Sequence, residues 1–288
     1  MFLYVNGEIV KTENARISPF DHGFLYGMGL FETFRIYDGH PFLLDDHLMR
    51  LEVGLKELQI NFPVNRSELI AITEEVLKAN GMLNAYVRLN VSAGNGEVGL
   101  PSTSYQTPSI ILFMKEVPTT PKEKQAMLLK TIRNTPEGEF RLKSHHFLNN
   151  IYAKRELGNN PHFEGIFQTK EGYLAEGITS NLFWVKDNKL FTPSLQTGIL
   201  NGVTRAFVIK LAEAIGIEVV EGFFQAKELE MCTEAFITNS IQEIVPLHKI
   251  IDVGKPGQSG QITKQFQQLY SNYRTSLWSR NELTKGIT

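Results

Sequence analysis

A chain of 288 residues, 42% hydrophobic and 21% charged, is long enough for two moderate domains and apolar enough for a sizeable core. Its 29 basic and 31 acidic residues leave a formal charge of −2, without the basic excess of a non-specific nucleic-acid binder. The single cysteine, Cys232, excludes an internal disulfide and reads as a small core residue in a reducing compartment. Residues 1–10 lack the pattern of a secretory signal, and no apolar stretch approaches bilayer length, so a cytoplasmic enzyme or binding protein is expected.

The first residues alternate around Asn6-Gly7, a dipeptide suited to the positive φ angles of a tight hairpin turn. A second hairpin is expected over 30–43, turning at Asp38-Gly39. Leu44, Leu48, Leu51, Leu55 and Leu58 then recur at helical spacing, with Arg50 off their stripe and reaching outward. The next helix is predicted over 67–80, with Ser67 as N-cap and Gly81 as its stop. Strands follow over 85–91 and 109–113. A proline-bounded segment, 118–122, reads as a linker between an N-terminal α/β domain (1–117) and a C-terminal domain (123–288). Past it, 127–132 reads as a strand and 144–157 as a helix. In a further helix Val203, Phe207, Leu211, Ala214 and Ile215 share one face. Helices and strands do not alternate regularly, so the class is mixed α/β (α+β) rather than a doubly wound sheet.

Three motifs in the second half carry chemistry. The first is Arg141-Leu142-Lys143-Ser144-His145-His146-Phe147-Leu148-Asn149-Asn150. The second is Ala175-Glu176-Gly177-Ile178-Thr179-Ser180-Asn181. The third is Thr197-Gly198-Ile199-Leu200-Asn201-Gly202-Val203-Thr204-Arg205. In order and spacing they resemble the class IV aminotransferase family, the fold type IV pyridoxal-phosphate enzymes related to D-amino acid aminotransferase. The resemblance extends to Ser18-Pro19-Phe20-Asp21-His22-Gly23 and Gly27-Met28-Gly29-Leu30-Phe31-Glu32.

That resemblance implies pyridoxal 5'-phosphate as cofactor and assigns catalytic roles to Lys143 and Glu176. Lys143 would carry the cofactor as a Schiff base and act as the catalytic base, since a lysine amine loses its proton readily when desolvated. Glu176 would face the pyridine nitrogen, where an anion favours the protonated ring. Gly202, Val203 and Thr204 open a helix whose amides and hydroxyl suit a phosphate, and Arg50, Asn239 and Ser240 match further cofactor contacts. Adjacent His145 and His146 do not resemble a metal pair, and no metal is expected.

Within the family the residues resemble the bacterial 4-amino-4-deoxychorismate lyase branch, which releases pyruvate and forms 4-aminobenzoate on the way to folate. Phe31, Ala93 and Leu148 stand where D-amino-acid or branched-chain transaminases of this type place tyrosine, arginine and tyrosine. The substrate's two carboxylates call for cationic or hydrogen-bonding partners. Arg88 is the leading candidate, followed by His22, Tyr26 and Arg141, with Phe31 at the same site. A transaminase acting on branched-chain or D-amino acids is the alternative reading, and a non-catalytic cofactor-binding protein a remote one. The resemblance further implies a homodimer with the cofactor between the two domains and near the partner subunit, a small-molecule substrate, and neither nucleic-acid nor membrane partners.

Overall fold

The Asn6-Gly7 turn takes the backbone its residue types permit, with φ of 46° and 104°, and pairs Val5 with Glu8 in the first hairpin. Asp38-Gly39 does the same at φ of 48° and 83°. These turns belong to a computed structural model that describes residues 1–253 and 260–283. The chain forms two units. One comprises Met1–Pro118, Leu142–His146 and Arg274–Ser279; the other comprises Thr119–Arg141, Phe147–Tyr273 and Arg280–Thr288. Residues 116–121 carry no regular structure. The expected second domain includes 254–259 and 284–288, which lie outside the described residues.

The first unit is built on an antiparallel sheet of β1 (Phe2–Val5), β2 (Glu8–Lys11), β3 (Gly29–Tyr37), β4 (His40–Pro41), β5 (Ala85–Ser92) and β6 (Ser109–Lys115), ordered β2-β1-β6-β5-β3-β4. A short helix α1 (His22–Tyr26) precedes β3. Helices α2 (Leu44–Glu57) and α3 (Arg66–Asn80) supply apolar faces. Leu44, Leu48, Leu51 and Leu55 of α2 join Leu30, Phe34, Val87, Leu89 and Val91 in one buried core. Gly54 lets α2 come close to β3, because a Cβ there would stand 2.6 Å from Leu30 Cδ1.

Two predicted helices change their starts. The second of these helices, α3, is capped by Asn65, whose side chain accepts from Glu68 N at 3.2 Å, so Ser67 lies inside the first turn. The helix expected from residue 144 starts only at Leu148, as α4 (Leu148–Leu157). Its predicted first residues spend their backbone groups elsewhere: Phe31 N donates to Lys143 O at 2.9 Å and His145 N to Gly29 O at 3.0 Å. Leu30 and Ser144 form the antiparallel bridge between these contacts. Residues 143–145 therefore act as an added strand on β3, and Lys143 belongs to the first unit.

The second unit holds β7 (Lys124–Leu128, a few residues earlier than expected), β8 (Phe163–Gln168), β9 (Leu174–Gly177), β10 (Asn181–Lys186), β11 (Lys189–Pro193), β12 (Val219–Gly222), β13 (Glu234–Asn239) and β14 (Glu243–Ile250). In the order β12-β11-β10-β13-β14-β7-β8-β9, the strands from β10 to β9 close into a ring through Asn181–Glu176 pairing between β10 and β9, with β11 and β12 extending from it. Helices α5 (Val203–Ala214) and α6 (Gln261–Tyr273) pack on this sheet. Cys232 is buried in the unit's apolar core, as expected. Among the described residues no helix is long and apolar enough to cross a membrane.

Gly94, just past β5, has φ of 76°, and a Cβ there would collide with the Thr107 carbonyl oxygen. Gly94→Ala is therefore expected to destabilise the fold by more than about 1 kcal/mol in a urea titration. An unchanged midpoint would show that the loop can shift freely.

Candidate active site

In the first unit, the β3–β5 register pairs Phe31 with Asn90 and Thr33 with Arg88, so these residues share a face of the sheet. Phe31 is buried there, and its ring underlies two cations. The Arg88 guanidinium lies 3.6 Å from its centroid and Lys143 Nζ 4.4 Å away. Phe31 is thus a platform for charge. Arg88 also donates from Nε to Asn90 Oδ1 at 3.0 Å. His145 stacks on the same ring at 6.4 Å, and its pKa falls to about 4 through burial and the nearby Arg88 charge.

Glu32 points to the opposite, core-facing side of β3 and is almost fully buried at 1% exposure. Helix α2 places His47 and Arg50 one turn apart, and both reach this carboxylate. Arg50 Nε donates to Oε1 at 2.8 Å and its Nη2 to Oε2 at 2.6 Å, while His47 Nδ1 lies 2.7 Å from Oε2. Arg50 therefore does not simply extend into solvent as its place off the leucine stripe suggested; its fork is clamped by Glu32. Burial opposes the Glu32 charge, but Arg50 and His47 together hold its pKa down to about 2. Burial likewise lowers the His47 pKa against the pull of Glu32.

His22 and Tyr26 have other engagements. The buried His22 ring meets Tyr105 Oη at 3.0 Å and the Glu97 carbonyl at 2.9 Å, and Tyr26 Oη accepts from Gly99 N at 2.8 Å. Both side chains fasten the loop after β5 to α1.

In the second unit Glu176 ends β9 at 4% exposure. Its Oε1 accepts from Arg133 Nε at 2.9 Å, and Arg133 Nη2 also lies 2.9 Å away. Oε2 accepts from Leu200 N at 3.1 Å and Asn181 Nδ2 at 3.4 Å. Arg141, expected at the substrate, donates from Nε to Gly198 O at 2.5 Å and contacts the Asn134 carbonyl. Its Nε stands 3.8 Å from Glu176, and burial and the Arg133 charge bring its pKa down to about 10.

The N-terminus of α5 is buried at Val203 and Thr204, and Gly202 provides no side-chain cap. A Cβ at Gly202 would collide with Asn181 Oδ1, so only glycine permits this approach. Thr204 Oγ1 and Ser240 Oγ lie 3.3 Å apart. Asn239 instead shapes its own loop, its Oδ1 accepting from Ile241 N at 3.0 Å and Gln242 N at 2.7 Å. Among the described residues no group of histidine, cysteine and carboxylate side chains could hold a metal ion.

Arg133, Glu32 and His47 were not singled out from the sequence. A glutamate inside the otherwise apolar Leu30–Phe34 alternation, followed by a histidine and an arginine one helical turn apart, was the legible signal for the last two. Arg133 left none.

The amino-transferase class IV model matches residues 29–250. The chain belongs to that family. It is 50% identical to the aminodeoxychorismate lyase of Bacillus subtilis (strain 168) over 272 residues, 93% of each chain. It also superposes on the 4-amino-4-deoxychorismate lyase of Pseudomonas aeruginosa with a TM-score of 0.84 and 28% identity, covering 95% of this chain and 99% of that one. A solved branched-chain amino acid aminotransferase from T.th., complexed with N-(5'-phosphopyridoxyl)-L-glutamate, matches with a TM-score of 0.84 and 26% identity, over 95% and 94% of the two chains.

Pyridoxal 5'-phosphate is the family's cofactor, and the residues present fit it. The uncapped α5 N-terminus with the Thr204 and Ser240 hydroxyls suits a phosphate. Glu176 offers a buried carboxylate, and Lys143 an amine over an aromatic ring beside Arg88.

Glu32→Gln removes the anion that Arg50 and His47 share and should cost about 3–5 kcal/mol in urea unfolding at neutral pH. The folded Glu32 pKa of about 2 lies below the ordinary 4.5. Its contribution is therefore present above the ordinary value and lost as pH falls through about 2. The stability gap between parent and variant should narrow across that window; a constant gap would refute the assignment.

Proposed function

We propose that this class IV enzyme is a lyase that releases pyruvate from 4-amino-4-deoxychorismate to leave 4-aminobenzoate. The observation that carries the reading is 50% identity to the Bacillus subtilis lyase across 93% of both chains. Phe31, Ala93 and Leu148 agree with it, since none offers the polar group that the transaminase branches place there.

Bound pyridoxal phosphate supplies an aldehyde that captures an amine and a ring that accepts an electron pair. The chain's own residues do the rest. Lys143 anchors the cofactor; freed by the substrate amine, its Nζ takes the proton from the amine-bearing ring carbon. The neighbouring carbon–oxygen bond then breaks, enolpyruvate leaves, and the six-membered ring becomes aromatic. A proton returned to the methylene carbon of the leaving group, from Lys143 or water, completes pyruvate.

Glu176 faces the ring nitrogen in this reading. Val203, Thr204 and Ser240, together with Arg50, hold the phosphate, and Gly202 permits the backbone approach; Asn239 supports the loop that carries Ser240. Glu32 and His47 fix the Arg50 fork. Arg88, half-buried on the Lys143 face, receives a substrate carboxylate. The enzyme works in the cytoplasm as a homodimer; sedimentation of the purified protein tests the dimer.

Purified protein given aminodeoxychorismate alone should form pyruvate and 4-aminobenzoate in equal amounts. A strict need for a keto-acid acceptor would defeat the lyase reading. Lys143→Ala should lose product formation and borohydride trapping of the cofactor; covalent trapping that persists would move the anchor elsewhere. The branched-chain aminotransferase likeness supports a second reading as a transaminase. It requires bound cofactor to convert to its amine form with branched-chain or D-amino acids.

A further inference from the structure

Two of the three sequence motifs meet at a residue outside all of them. Arg133 is buried, and its guanidinium divides its donors between two groups. Nε and Nη2 face Glu176 Oε1 at 2.9 Å each, while Nη1 donates to Asn149 Oδ1 at 2.8 Å and lies 3.3 Å from Asn150 Oδ1. Both asparagines are fixed in turn. Asn149 Nδ2 donates to Ile132 O at 2.9 Å and Asn150 Nδ2 to Ile178 O at 2.5 Å. The other Glu176 oxygen is held by Leu200 N and Asn181. The motif that follows Lys143 and the motif of Glu176 are thus joined by one guanidinium, which also lies 5.0 Å from the Phe167 ring centroid, while the loop leading to α5 joins them through Glu176.

A buried carboxylate facing a pyridine nitrogen can share one proton in two ways. With the proton on nitrogen, the ring is a pyridinium and a strong electron acceptor; with the proton on the carboxyl group, both partners are neutral. A cation fixed against the carboxylate favours the first arrangement, because it stabilises the charged carboxylate. Burial without that cation favours the second.

We propose that Arg133 is a positioning residue that keeps the cofactor ring protonated, acting through Glu176, with Asn149 and Asn150 aiming its guanidinium. This rests on Glu176 facing the ring nitrogen, as in the proposed function. Arg133 itself touches neither ring nor substrate in this assignment.

The test uses holoenzyme loaded with pyridoxal phosphate labelled with 15N in the ring, read by NMR. The parent should give a pyridinium signal. Arg133→Gln should move it toward neutral pyridine, in the direction given by Glu176→Gln, and lower kcat roughly ten-fold with little change in KM. Arg133→Lys, which keeps a cation but loses the fork, should restore the signal toward the parent position. A signal unchanged in Arg133→Gln while Glu176→Gln shifts it overturns the inference and leaves the Glu176 assignment standing. A signal unchanged in Glu176→Gln overturns both. Should Arg133→Gln fail to fold, Asn149→Ala loosens the guanidinium without removing its charge. A smaller shift in the same direction supports the role, and a parent-like signal in Asn149→Ala overturns it.

Discussion

A carboxylate taken out of water must recover its lost solvation from fixed donors, and in each unit of this chain an arginine supplies them at one buried glutamate. Glu32 and Glu176 lie on different sheets, yet each is buried and each meets an arginine. The arginine is the suitable partner because its planar fork satisfies lone pairs while cancelling charge, and it stays protonated where a lysine would be pressed to lose its proton. In each unit the ion pair lies beside apolar packing. Removing one partner would leave the other stranded, so these pairs specify geometry more than they add stability.

The consequence for chemistry differs between the two. Around Glu32 the charge is used to hold Arg50, with His47 completing the carboxylate's partners. Around Glu176 the same electrostatics act on a carboxylate whose remaining oxygen is held by a backbone amide and Asn181. One device fixes a cation and the other fixes an anion. Phe31 adds a third way of holding charge, since its ring carries both Arg88 and Lys143 without neutralising either.

Local structure was the most legible part of the sequence. Turn residues announced both early hairpins, and leucine spacing announced α2, because these depend on neighbours within a few positions. The motifs around Lys143, Glu176 and Thr204 were readable by resemblance. What escaped notice depends on distant partners. Glu176 and Arg133 are 43 positions apart, and no local pattern at Arg133 points toward that carboxylate. Residues 144–147 have helix-compatible spacing, but their neighbours Lys143 and His145 are claimed by β3 more than a hundred positions earlier. His22 and Tyr26 looked available for a ligand because the loop that occupies them is also remote in sequence.

The order in which the chain is made gives that added strand another meaning. A ribosome delivers β3 long before residues 143–145, and delivers the first unit's final segment, Arg274–Ser279, only after most of the second unit. Part of β3 therefore waits for its partner until residues 143–145 are made, and the first unit waits for its last segment while most of the second is produced. Exposed strand edges invite pairing with other chains, so this interval is when the nascent enzyme is most exposed to misassembly. The segment that carries the lysine covers the start of β3 and shortens that exposed edge, tying acquisition of the reactive amine to protection of a vulnerable strand.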